Sequence, residues 1–100
     1  MTREDVVSAI KPRVADVQRE SGLAIVGLIG SAARDELTPE SDIDLAYRVV
    51  PNRRVTLIDV GKARRTLSSI LKRDVDLIDW DAVKPHYRAA MREDFIALDG

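Results

Sequence analysis

The sequence predicts an α/β or α+β fold, a sheet with helices packed on it. Three observations carry this. Apolar periodicity switches back and forth between helical and strand-like along the chain. The strand-like runs are short, rich in β-branched residues and bounded by Gly, Pro, Asn or Asp. The resulting order is helix, strand, short helix, strand, helix, strand, helix and a brief closing strand.

Residues 2–20 read as helical, with Val6, Val7, Ile10, Val14 and Val17 at helical spacing. Thr2 is placed to cap the start, with Glu4 and Asp5 in the first turn. Pro12 should kink this segment or split it in two. Ser21-Gly22 is a stop signal. LAIVGLI (23–29) is a continuous apolar run of strand length. SAARDEL predicts one or two helical turns, residues 38–41 a loop, and DIDLAYRVV (42–50) a second strand ended by Pro51-Asn52. From Val55 to Leu71 the period is helical again, with Leu57, Val60, Ala63, Leu67, Ile70 and Leu71 as the inward stripe. Gly61 weakens that helix by about 1 kcal/mol relative to Ala. DVDLID (74–79) is a third strand, DAVKPHYRAAMRED a helical region interrupted by Pro85, and FIAL (95–98) a closing strand.

The bulk composition narrows the function classes. The length of 100 residues is that of one domain, spanning 1–100. Sixteen Lys and Arg against seventeen acids leave a net charge of -1, which argues against a broad nucleic-acid footprint. Without cysteine there is no disulfide frame and no thiolate metal site, and a lone histidine, His86, makes zinc improbable. No apolar run reaches the roughly 20 residues of a membrane span, and the N-terminus does not read as a signal peptide. The expectation is a cytoplasmic protein with no membrane partner.

Chemistry concentrates in GLIGSAARDELTPESDIDLAY, residues 27–47. Alternate strand residues share a face, so Asp42 and Asp44 project together while Ile43 and Leu45 point into apolar packing. Adjacent carboxylates repel, and burial makes the conflict worse. A divalent cation relieves it; Mg²⁺ takes oxygen ligands, often one or two carboxylates plus substrate phosphates. An isolated Asp-x-Asp in an acidic chain is more often a solvated strand end. A further acid changes that weighing. Asp76 stands between strand formers in the third strand and could meet the pair from a neighbouring strand, with Asp74, Asp79 and Asp81 as its rivals. Gly30-Ser31 follows the first strand and opens a short helix. Glycine permits close backbone approach, and free N–H groups there suit phosphate. Ser31 and Arg34 can add hydrogen bonds. Trp80 and Tyr87 read as core or partner contacts, and Arg53-Arg54, Arg64-Arg65 and Lys72-Arg73 as solvated charges.

With these residues in view, the chain resembles the DNA polymerase β-like nucleotidyltransferase superfamily, and within it the minimal nucleotidyltransferases (MNT) of prokaryotes. The resemblance rests on GSAARDELTPESDIDL, LKRDVDLID and the tail HYRAAMREDFIAL. It implies the nucleotidyltransferase fold, a small mixed sheet of three to four strands with flanking helices. It further implies that Asp42, Asp44 and Asp76 are catalytic and hold two Mg²⁺ ions, and that Gly30, Ser31 and Arg34 bind the phosphates of ATP. Two residues depart from the family pattern: Asp35 where glycine is frequent, and Ile29 where an aromatic is common. Because the chain covers little beyond the catalytic core, the acceptor is expected from a partner. The resemblance points to a HEPN-domain ribonuclease toxin that an MNT antitoxin adenylylates on a hydroxyl. The alternatives are a binding-only antitoxin or assembly partner with a vestigial site, kept open by Asp35, and small-molecule nucleotidyl transfer. The last would need a substrate cleft, which a homo-oligomer could build.

Overall fold

The computed structural model describes residues 1–98. The N-terminal segment divides at Pro12 as its backbone chemistry requires: α1 spans Arg3–Ile10, a 3₁₀ turn spans Lys11–Arg13 and α2 spans Val14–Ser21. Thr2 caps α1 in a reciprocal box with Asp5. Gly22 ends α2 at φ 80°. Arg53, read above as a solvated charge, instead donates to the Arg19 and Gln18 carbonyls there, at 2.8 and 3.3 Å.

β1 (Leu23–Ile29) leads into a single-turn helix, α3 (Gly30–Ala33). That is the lower end of the one or two turns SAARDEL predicts; beyond it Asp35 adopts a left-handed conformation at φ 60°. β2 (Ile43–Val49), α4 (Leu57–Leu71) and β3 (Val75–Asp79) follow. α5 (Pro85–Arg92) begins at Pro85 rather than being interrupted by it. Proline lacks the N–H that the first turn would leave unbonded anyway. β4 is Ile96–Ala97.

The sheet is mixed, in the order β3-β2-β1-β4. β1 pairs antiparallel with β2 and with β4, whereas β2 and β3 run parallel with α4 as the crossover. Its two faces differ in depth. One is covered by α1, α2 and α4, whose Val6, Ile10, Val17, Leu67 and Leu71 meet Leu23, Ile25, Leu28, Ile43, Leu45 and Val75. Each fully buried Leu or Ile there contributes about 1.5–3 kcal/mol. The other face holds only a thin cluster, Ile29, Ala46 and Trp80, with Val26, Ile78, Met91 and Phe95 packed against it. The tip of the Phe95 ring presses on Gly27, where a side chain would collide with it. Trp80 is core, stacked obliquely on Phe95 with centroids 5.1 Å apart.

Leu57 corrects the predicted stripe. It is 88% exposed, beside Ile58 at 77%. The inward stripe runs from Val60 through Ala63, Leu67 and Ile70 to Leu71. The helix starts at Leu57 itself, directly after the extended Thr56 cap, and this first position faces outward. Thr56 Oγ1 accepts the Asp59 N–H, and Asp59 Oδ2 accepts the Thr56 N–H at 2.9 Å. This box holds the Asp59 carboxyl below its usual range, the backbone bond from Thr56 first and its hydroxyl second. A carboxyl depressed on folding adds stability above its unfolded pKa and loses it as pH falls through the folded one. Thr56→Ala should therefore lower stability by about 1 kcal/mol at neutral pH. Urea titrations across pH should show the deficit narrowing as pH falls below the unfolded value of about 3.9 toward the lowered folded value of Asp59.

Candidate active site

The carboxylates lie on the thin face. Ile43 and Leu45 enter the helix-covered core, so Asp44 between them points the other way, with Ala46. Val75 and Leu77 likewise leave Asp76 on the side of Ile78. Parallel pairing sets Asp44 directly opposite Asp76. Asp42 lies one residue before β2 instead of within it, and the Ile43 N–H bonds to the Asp74 carbonyl at 2.9 Å, so the ladder is already engaged there. Asp42 and Asp76 are exposed and Asp44 is half-buried. Of the rival acids, Asp79 sits on the helix-covered face opposite Tyr47, and Asp81 pairs with Arg48 at 3.3 Å. Tyr47 packs against the main core, away from the carboxylates, and its phenol is pushed up by burial and by Asp79.

Burial pushes the Asp44 carboxyl above the usual carboxylate range, the Asp76 and Asp42 charges add to this, and the Arg34 guanidinium opposes it. None of the three acids has an ion pair among the described residues. Nor, among these residues, do three His, Cys, Asp or Glu side chains converge to ligate a single ion together. The donor chemistry nevertheless suits Mg²⁺, which needs one or two carboxylates and keeps several waters. Asp44 with either neighbour supplies such a set.

Gly30 joins the two halves of the opening motif. Its φ is 71°, and a Cβ there would run into the Asp44 carboxylate. The strand exit and the Asp-x-Asp segment therefore touch through a position only glycine can fill. Ser31 is next in α3 and partly exposed. A four-residue helix has too short a dipole to matter. What Gly30-Ser31 offers an anion is first-turn N–H groups and a hydroxyl. Arg34 is near enough to act on Asp44 but is engaged by Glu36 at 3.2 Å and Asp94 at 3.7 Å.

Asp35 faces elsewhere. Its carboxylate accepts the Arg3 N–H at 2.7 Å, in the first turn of α1, and the Arg3 side chain donates to the Ala33 carbonyl at 3.3 Å. The left-handed backbone explains why glycine suits this place; aspartate is among the few others that tolerate it. Arg73 is the residue the sequence reading missed. Far from being solvated, it donates to the Thr38 carbonyl and, at 2.8 Å, to the Ser41 carbonyl, pinning the loop that delivers Asp42. Nothing in the sequence marks it out from its neighbour Lys72.

A four-stranded mixed sheet with Gly-Ser at one strand exit and paired acids on the neighbouring strands is a nucleotidyltransferase arrangement. A family model described as Polymerase beta, Nucleotidyltransferase matches residues 15–95, and the chain belongs to that family. A Methanocaldococcus jannaschii protein provisionally named a protein adenylyltransferase is 24% identical over 79 residues, covering 79% of this chain and 83% of its own. A solved structure provisionally described as a minimal nucleotidyltransferase superposes with a TM-score of 0.76 at 27% identity, covering 96% of this chain and 95% of that one. A chain from the complex of tri-AMPylated Shewanella oneidensis HEPN toxin with MNT antitoxin shares the fold, with a TM-score of 0.66 at 21% identity. That match covers 99% of this chain and 73% of the other.

Two outcomes test this geometry. A carboxyl raised on folding contributes stability below its unfolded pKa, about 3.9 for Asp, and loses it as pH rises through the folded value. In chelator at neutral pH, Asp44→Asn should melt above wild type, and the gap should close at and below about pH 4. An equal or lower melting temperature at neutral pH would refute the cost of burying this charge beside Asp76 and Asp42. Asp35→Gly should leave Mg-ATP affinity within about twofold while loosening α1; amide exchange at Arg3 to Val6 reads the second effect.

Proposed function

We propose that the chain transfers AMP from ATP to a hydroxyl of a partner protein, and that this partner is a HEPN-domain toxin for which it serves as antitoxin. The observation that carries the reading is the contact of Gly30 with Asp44, itself in register with Asp76. It joins a phosphate-compatible turn to a carboxylate pair that has no ion pair among the described residues. Further support comes from the provisional name of the Methanocaldococcus jannaschii relative and from the fold shared with the AMPylated toxin complex. A toxin–antitoxin structure with AMP-PNP has the same fold, with a TM-score of 0.69.

In this reading Asp42 and Asp44 would hold one Mg²⁺, and Asp76 would help hold a second. Bound metal supplies charge neutralisation at the phosphates and favours the deprotonated acceptor. Gly30 and Ser31 receive the β- and γ-phosphates, and Arg34 shifts from Glu36 and Asp94 toward them. The acceptor hydroxyl loses its proton to solvent, its oxygen bonds to the α-phosphorus, and the bond to pyrophosphate breaks on the opposite side. The binding-only alternative loses its motive, because Asp35 is spent on α1.

Incubation with ATP, Mg²⁺ and a HEPN-domain protein from the same genome should add the mass of AMP to that protein. Asp42→Asn and Asp44→Asn should each reduce the rate at least about a hundredfold, as losing a transition-state electrostatic contact does. A natural partner left unmodified, or modified as fast by Asp42→Asn, would exclude the proposal.

A further inference from the structure

The outer face of α4 carries three features that the fold does not use. Leu57 and Ile58 stand 88% and 77% exposed at its start. Gly61 follows one turn later at ordinary helical geometry; a Cβ there would find nothing but the Arg65 guanidinium, at 3.6 Å. Glycine inside a helix is a stability loss that usually has a packing reason, and no packing among the described residues supplies one. Beyond it come Lys62, Arg64, Arg65 and Lys72, all exposed and none within ion-pair distance of a carboxylate among the described residues.

Charge is sorted accordingly. Residues 53–73 hold seven of the sixteen Lys and Arg but one of the seventeen acids, Asp59. Arg53 and Arg73 are held against other elements, which leaves Lys62, Arg64, Arg65 and Lys72 as a local cationic patch on a chain with a net charge of -1. Leu57, Gly61, Arg65, Ser68 and Lys72 follow each other at helical spacing, opposite the buried Ala63, Leu67 and Leu71. An open cleft runs along this side, lined by Gly61, Arg64, Arg65, Ser68, Ser69 and Asp74.

We infer that the outer face of α4 is a docking surface for an acidic amphipathic helix of a partner protein. Its apolar end covers Leu57 and Ile58, its backbone crosses closely at Gly61, and its carboxylates face Arg64, Arg65 and Lys72. Protein fits better than nucleic acid for two reasons. The face holds no aromatic residue on which bases could stack. Two large exposed aliphatic side chains have no use against a phosphate backbone, whereas they suit the apolar anchor of a helix in a groove. Because α4 covers the sheet face opposite to Asp44 and Asp76, such a partner leaves the carboxylates open. The inference goes beyond nucleotidyl transfer and does not depend on it.

The test titrates the intact protein, by amide NMR, with three probes. They are a synthetic helical peptide with a leucine anchor and a glutamate face, the same peptide with glutamine for glutamate, and a single-stranded RNA of matching charge. The glutamate peptide should shift amides along residues 57–72, and the glutamine version and the RNA should bind about tenfold more weakly or worse. The double variant Leu57→Ser with Ile58→Ser should weaken the glutamate peptide by a similar factor. Gly61→Ala gives the sharpest reading: its melting temperature should rise while its affinity falls, which a purely structural glycine would not do. Tighter binding of RNA, equal binding of the two peptides, shifts away from α4, or full affinity in Gly61→Ala would each overturn the inference.

Discussion

Parallel pairing of β2 with β3 sets Asp44 opposite Asp76, and backbone hydrogen bonds hold the two like charges together whatever their repulsion. The ladder can do so because its other face is secured. Ile43, Leu45 and Val75, on the same strands, are fully buried against the helices. Slipping the register by one residue would turn those side chains out and the aspartates in, so the apolar core enforces the acidic pair. The free energy of the thick face is spent on a local conflict at the thin one.

That division extends to the whole molecule. One side of the sheet carries α1, α2 and α4 and nearly all of the deep packing; the other carries the carboxylates, Gly30 and a light cover of Trp80 and Phe95. α5, which closes this side, contains no buried residue. A surface so little covered is open to a nucleotide and an acceptor. The cationic patch of α4 lies beyond the core, so the two proposed contacts of the chain face opposite ways.

The residues that departed from the family pattern, or went unnoticed, turn out to be supports. Asp35 fills a left-handed position and ties the α3 turn to the start of α1. Arg73 holds the loop before Asp42 by its carbonyls, and Glu36 with Asp94 steadies Arg34. Each acts across a sequence separation or through the main chain. A backbone carbonyl has no letter of its own in the sequence, which is why these partners could not be read from it.

The strands were legible because their signal is local: LAIVGLI and VDLID are apolar runs closed by turn residues, and their ends lie where the turns begin. Helix starts were legible at Thr2, whose side chain bonds within its own turn, and were misread at Leu57, where one residue of phase decides which side faces water. The kinds of residue at the site, three acids with a Gly-Ser turn, were likewise visible in the sequence alone. Tertiary structure decided which acid meets which. Only the parallel crossover brings Asp76 rather than Asp79 beside Asp44, and only the close approach of two strands turns Gly30 from a flexible residue into a seat for a carboxylate. Register and approach are properties of paired backbones, and no single stretch of sequence contains them.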